Sequence, residues 1–353
     1  MASIYLFLSV LSLLFTWSAI VQARRLYLAM PLYFLTAWLT GELAFLHLCL
    51  QIGLASFLAF TGLFSDPTAQ IGLALFALSW LGLLYLHGQS MDTQIAMREA
   101  LDETLGDDYR LSIPAQRQGA LRDHIVTSEW IKPFAYDRPG VQVHKNVAYA
   151  DAGVRNLLDV YQPKESREGG FPVLLQVHGG AWMIGKKEEQ GKPLMYHMAQ
   201  RGWLCIAINY RLSPRDDFPA HIIDVKKAIA WIKKHAEEFG GNPDYIAITG
   251  GSAGGHLSSL AALTPNREEW QPGFEDVDTT LQAAVPIYGV FDFLDRNNVR
   301  PEMSMEQTLA DRVMKCTPGD NPDLWENGSP LTHVSADAPP MLVIQGTHDS
   351  LVW

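Results

Sequence analysis

Residues 250–256 read Gly250-Gly251-Ser252-Ala253-Gly254-Gly255-His256, a serine framed as G-x-S-x-G. An apolar run at 245–249 precedes the motif, and residues 257–263 have a helix-forming composition. The pattern is a strand, a tight turn and a helix, with the serine at the corner. Flanking glycines let the chain take a strained turn and let neighbouring backbones approach without Cβ atoms. A hydroxyl held there is placed to attack a carbonyl carbon once a base removes its proton. The oxygen of that carbonyl then needs hydrogen-bond donors. Upstream, His178-Gly179-Gly180-Ala181-Trp182 follows the apolar run 173–177. The backbone amides of such a glycine loop can face a developing oxyanion. The oxyanion residues expected here are Gly179, Gly180 and Ala181, joined by Ala253 just after the serine.

A serine nucleophile also needs an acid and a base. Met341-Leu342-Val343-Ile344-Gln345 reads as a late strand, followed by Gly346-Thr347-His348-Asp349. A carboxylate on the loop after such a strand can accept the imidazole Nδ1–H and fix its tautomer. Asp292 comes too early and Asp337 lies at the wrong end of the strand, so Asp349 is the expected acid. In this chain order the histidine follows the acid, yet all eleven histidines precede Asp349. His178 belongs to the glycine loop, and His256 starts the helix behind the serine. His221 lies on a helix face, and His333 precedes the acid strand. Each reads as structural. The base is therefore expected beyond residue 353, in a C-terminally incomplete chain whose isolated form is unstable or inactive.

The elements that would position these groups alternate. Residues 157–161, 173–177, 204–209, 245–249, 283–288 and 341–345 read as strands. Residues 188–201, 219–239 and 257–263 read as helices. Strands alternating with helices imply an α/β fold with a mostly parallel sheet covered on both faces. In the helix at 219–239, Lys226, Lys227, Lys233 and Lys234 read as a solvated face. Residues 267–280 and 295–326 read as loops and short helices over the strand ends, shaping acyl and alcohol pockets.

Together these strings resemble the α/β-hydrolase superfamily, and within it the hormone-sensitive-lipase-like esterases. The residues carrying the resemblance are 178–182, Asn209-Tyr210-Arg211-Leu212-Ser213-Pro214, Phe218-Pro219-Ala220, the turn at Ser252, and 346–349; it covers about 141–353. It implies carboxylesterase or lipase activity without cofactor or metal, with Ser252 as nucleophile and Asp349 as acid. It also implies oxyanion amides at Gly180, Ala181 and Ala253. Position 181 is Ala where many relatives carry a third Gly, which only the backbone amide makes tolerable. The same serine could serve acyl transfer or peptide hydrolysis. A hydrolase-like interaction module without catalysis is the other alternative.

The first part of the chain has another solvent. Up to Asp66 the only formal charges are Arg24, Arg25 and Glu42. Residues 4–21 and 71–86 are apolar runs long enough to span a bilayer. Residues 26–63 form either one long tilted helix or two spans broken near Thr40-Gly41-Glu42. Trp17, Trp38, Trp80, Tyr27 and Tyr85 suit an interface. The expected division is a transmembrane region at 1–90 with three or four spans, an amphipathic linker at 91–140, and a hydrolase domain at 141–353. Three spans with Arg24 and Arg25 inside place the hydrolase domain in the cytoplasm, whereas four place it outside. Within the linker, residues 91–105 read as an amphipathic helix, and Trp130, Phe134 and Tyr136 line or pack on the substrate mouth. A lipophilic acyl ester and the membrane are the expected partners. A net charge of −11 argues against nucleic acid. Cys49 and Cys205 read as small core residues.

Overall fold

Six strands form one sheet in the order β1-β2-β4-β3-β5-β6. They are β1 (Val141–Ala148), β2 (Leu157–Pro163), β3 (Phe171–Val177), β4 (Leu204–Ile208), β5 (Gly241–Gly251) and β6 (Ala283–Ile287). The β3–β4, β3–β5 and β5–β6 pairs are parallel, whereas β2 runs antiparallel to both β1 and β4. Every residue of β4 is buried. That is the pattern of a strand covered by helices on both faces. β1 escapes sequence reading because His144-Lys145-Asn146 interrupts its apolar alternation, and its register shifts between His144 and Val147. A polar, irregular edge strand discourages pairing with another chain.

The computed structural model describes the chain except residues 22–29, 61, 63–64, 116–137, 300–304, 348, 350 and 353. Arg24, Arg25, Tyr27, Trp130, Phe134, Tyr136 and His348 thus lie outside the described residues. Two compact units, Met1–Pro133 and Phe134–Trp353, divide it.

In the first unit, α1 (Ala2–Ile20), α2 (Met30–Glu42), α3 (Ala44–Ala59) and α4 (Pro67–Leu105) follow one another. Both α1 and α4 are long and apolar enough to cross a membrane. The 26–63 stretch is not one straight helix, since α2 and α3 meet at a bend of 87°. The break falls at Leu43, beside Gly41 and Glu42. The amphipathic residues 91–105 continue α4, which runs unbroken for 39 residues. Its start is capped by Asp66, whose side chain accepts from the Thr68 amide at 2.8 Å, with Pro67 in the first turn. Gly106 at φ 88° ends it. Cys49 is exposed on α3, contrary to its reading as a core residue, while Cys205 is buried in β4.

In the second unit, α5 (Lys192–Ala199), α6 (Ala220–His235), α7 (Ala253–Leu263) and α8 (Pro322–Gly328) flank the sheet or cover its strand ends. Helix α5 is shorter than the expected 188–201 because Gly191 takes φ 74° immediately before it. The solvated lysine face of α6 needs a correction. Lys226 is fully buried, and its ammonium nitrogen donates to the Thr264 carbonyl and, at 3.3 Å, to Thr279 Oγ1. It lies beside buried Val225 on the helix face turned towards α7, so a side chain of either polarity would be enclosed there.

Candidate active site

Strand β5 runs out at Gly251, and α7 begins at Ala253. Ser252 between them takes φ 56° and ψ −122°, the strained corner expected of a raised nucleophile. The turn is pinned by its own backbone: Ser252 N donates to Ile287 O at 3.0 Å, and His256 N donates to Ser252 O at 2.9 Å. The glycines are needed because backbone crowds them. A Cβ at Gly254 would lie 2.1 Å from the Val177 carbonyl oxygen, and one at Gly255 2.8 Å from that of Ile287.

The glycine loop after β3 meets this corner. A Cβ on Gly179 would lie 3.2 Å from Ser252 Cβ and 2.6 Å from Gly251 O. Gly180, Ala181 and Trp182 then take successive positive φ values of 120°, 50° and 58°. Gly179 was expected among the oxyanion donors, but its amide donates to Gln190 Oε1 at 2.7 Å. An amide already held by a side chain is not available to a substrate oxygen, so Gly179 contributes close approach instead. The amides of Gly180 and Ala181 donate to no acceptor among the described residues. Ala253 opens α7, so its amide is one of the four at a helix start without an intrahelical acceptor.

The chain matches the BD-FAE family over residues 158–353, more than half its length. The chain belongs to the BD-FAE family. It is 44% identical over 298 residues to the probable carboxylic ester hydrolase LipM of Mycobacterium tuberculosis, covering 81% of this chain and 66% of that protein. It is 42% identical to the esterase LipQ of the same organism, over 72% of this chain and 61% of that one. The chain thus spans less than two thirds of the length of these curated relatives. A truncated carbohydrate esterase from gut microbiota superposes with a TM-score of 0.51 at 27% identity, covering 58% of this chain and 76% of that one. With the mostly parallel sheet, these likenesses identify the fold as that of the α/β-hydrolases.

In this BD-FAE domain, the segment 209–214 braces the glycine loop. Tyr210 Oη donates to His178 O at 2.9 Å, Ser213 N donates to Trp182 O at 2.8 Å, and Asn209 Oδ1 accepts from Lys187 N at 2.8 Å. Arg211 in the same segment clasps the fully buried Asp224 carboxylate of α6, with Nη2–Oδ1 at 2.8 Å.

The histidines near the site are engaged elsewhere. His256 is fully buried; its Nδ1 accepts from Trp182 Nε1 at 3.1 Å, so Nε2 carries the proton and donates to Gly328 O at 2.8 Å. Burial lowers its pKa to about 4, partly offset by the bond to Gly328. His178 Nδ1 donates to Gly179 O at 2.7 Å and its ring stacks on Tyr210 at 4.4 Å; burial first of all lowers its pKa to about 4. His221 Nε2 lies 3.1 Å from Ser213 Oγ, and burial brings it down to about 3. His333 Nε2 donates to Asn327 O at 2.9 Å. Among the described residues, no histidine hydrogen-bonds to Ser252.

Residues 341–344 run parallel to β6, with bridges Ala284–Met341 and Ile287–Ile344. They lead to Asp349 on the following loop. There Asp349 Oδ1 accepts from the amides of Leu351 at 2.8 Å and Val352 at 2.9 Å, leaving Oδ2 with Gln345 Nε2 at 3.4 Å. The rival Asp292 is taken up by Arg296 at 2.8 Å. Asp337 lies in an exposed turn at Ser335. Two residues escaped sequence reading. Gln190 offers no motif, being recognisable only by its bond to Gly179. Tyr288 carried a signal in its place one residue past β6, at the strand ends where α/β sites form.

Proposed function

We propose that the protein is a membrane-anchored serine hydrolase that cleaves carboxylic esters through an acyl-enzyme on Ser252. The carrying observation is the hydroxyl-bearing corner at φ 56° with the Gly179 backbone against its Cβ. Ser252 Oγ attacks the ester carbonyl carbon, and the amides of Gly180, Ala181 and Ala253 receive the oxyanion. An imidazole takes the Ser252 proton and returns it to the leaving alcohol, with Asp349 orienting that ring through Nδ1–H. Water, deprotonated by the same imidazole, then releases the acid. Esterase names among the relatives support the ester as substrate.

Membrane anchoring rests on the inverted polarity of the first unit. Where α1 meets α4, Ser9, Thr16 and Ser79 are buried, and Thr16 Oγ1 lies 2.8 Å from Ser79 Oγ. Gly72 and Gly82 admit Tyr5 and Thr16 to close contact. Outside, Phe7, Leu14, Trp17, Leu78 and Leu81 are each more than half exposed. Small and polar residues between helices, with large apolar ones outside, suit lipid as the surrounding solvent. Lipophilic acyl esters drawn from that bilayer are the substrates this arrangement fits.

The test is hydrolysis of p-nitrophenyl butyrate and labelling by a fluorophosphonate, comparing the full-length protein with Ser252→Ala. Activity and labelling confined to the unaltered protein are expected; equal behaviour of the two excludes Ser252 as nucleophile. The second reading, an interaction module without catalysis, draws on the absence of an imidazole at Ser252 among the described residues. It requires that no labelling occur.

A further inference from the structure

The geometry points to Tyr288 as a specificity-determining residue. Its ring walls the ester site beside Ser252 and packs against an aliphatic or aromatic group of the substrate. This inference rests on the reading of Ser252 as nucleophile.

Strand β6 ends beside the reactive corner, where Ile287 O accepts the Ser252 amide. The next residue, Tyr288, takes φ 39°. An L-residue in the left-handed region is strained, and such strain gathers where a side chain must be aimed. Gly289 follows at once, so a residue suited to that turn stands one position away while a tyrosine occupies the strained one. Its amide donates to Ile344 O at 2.7 Å, tying it to the segment that leads to Asp349. Tyr288 therefore sits between the elements carrying the nucleophile and the acid.

The ring is seated, not loose. A Cβ at Gly251 would lie 2.7 Å from Tyr288 Cε2 and Oη and 2.8 Å from Cζ. Glycine at 251 is thus what lets the ring lie against the residue preceding the nucleophile. Despite that seat, Tyr288 is 43% exposed, whereas Val290 and Phe293 just beyond it are 5% and 1% exposed. In the glycine loop, Ile184 is 70% exposed and packs over Gly180, whose Cβ would lie 3.1 Å from Ile184 Cγ1. Two partly exposed side chains thus pack on backbone of this corner, Tyr288 on Gly251 and Ile184 on Gly180. Rings at binding sites supply apolar contact area at little conformational cost, and one well-filled apolar contact discriminates substrates by about 10- to 200-fold.

The experiment measures kcat and KM of the full-length protein for p-nitrophenyl acetate, butyrate and benzoate. Tyr288→Gly removes the ring at a backbone conformation that glycine accepts, and Tyr288→Phe keeps the ring. For Tyr288→Gly the expected result is a loss of about tenfold or more in kcat/KM for butyrate and benzoate relative to acetate, carried mainly by KM. Tyr288→Phe should retain the unaltered selectivity. An equal fractional loss on all three esters, or a loss in Tyr288→Phe as large as in Tyr288→Gly, overturns the inference. Equal rates for the unaltered protein and Ser252→Ala would instead remove the nucleophile, and the inference with it.

Discussion

Trp182 Nε1 donates to His256 Nδ1 at 3.1 Å, joining the glycine loop to the helix that follows Ser252. Both side chains are buried, the rings meet edge to face at 5.1 Å, and Phe293 packs against each. Through Nε2 the same imidazole reaches Gly328 at the end of α8. One ring thereby ties the loop, α7 and α8 together. Trp182→Phe keeps most of the packing but leaves His256 Nδ1 buried without a donor, a loss of about 1–3 kcal/mol in stability. On the proposed role of this loop in holding the oxyanion, its displacement costs rate at the transition state, so kcat should fall about tenfold to a hundredfold with KM little changed. Steady-state kinetics on an ester, beside a denaturation curve, checks both effects. An unchanged kcat in a destabilised variant would confine the pair to a structural role.

The strain at Ser252 makes a second prediction. A non-glycine residue at φ 56° carries about 1–3 kcal/mol that glycine would not. Ser252→Gly should therefore be inactive and yet unfold at higher denaturant than Ser252→Ala, which keeps the strain. Part of this gain is offset because glycine also loosens the unfolded chain. Indistinguishable midpoints for the two variants would mean that the turn stores nothing.

Much of this site was legible because its demands are local. The glycines around Ser252 and in 178–182 are needed wherever a strand turns sharply into a helix or loop, and their spacing survives without the fold. Strands β3 and β4 were equally legible, because burial on both faces leaves an apolar run, broken only by Gln176 in β3. What escaped depends on contacts distant in sequence. Gly179 looked like an oxyanion donor until Gln190 was found holding its amide. Lys226 looked solvated because helical spacing gives the face but not the depth of the neighbours, and Thr264 and Thr279 enclose it. β1 was hidden by polar residues at the sheet edge. The division of 26–63 was ambiguous because α2 and α3 are both mostly apolar, with few polar residues to mark where one helix ends and the next begins.

Three buried histidines predict acid sensitivity. Burial holds His178 and His256 at pKa values of about 4 and His221 at about 3, against an ordinary value of 6.5. Below pH 6.5 the unfolded chain gains these protons while the folded protein does not. Their stabilisation is complete above pH 6.5 and is lost as pH falls towards 4. Each proton is worth about 1.4 kcal/mol per pH unit, so the three together steepen the loss by up to about 4 kcal/mol per unit across that window. Denaturation midpoints measured at pH 7, 6 and 5 test this. His221→Gln should flatten the slope by one proton, and an unaltered slope would mean that His221 titrates alike in both states.

Lys226 acts over the alkaline range, and with the same sense. Burial lowers its pKa from 10.5 to about 7, with the nearby Arg267 charge adding to the effect. The amine donates to Thr264 O at the C-terminal end of α7 and to Thr279 Oγ1, and no carboxylate among the described residues is bonded to it. Between pH 7 and 10.5 the unfolded chain holds the proton more tightly than the folded one, so stability attributable to this group rises with pH. Below pH 7 both states are protonated and the penalty of the buried charge is present in full. Lys226→Met removes the titration while filling the same space, at the expense of the bond to Thr264. The variant should compare best with the unaltered protein near pH 7 and progressively worse towards pH 10, where the neutral amine keeps its hydrogen bonds without a charge to bury. Stability curves that run parallel from pH 7 to 10 would show that Lys226 is charged in the folded protein throughout.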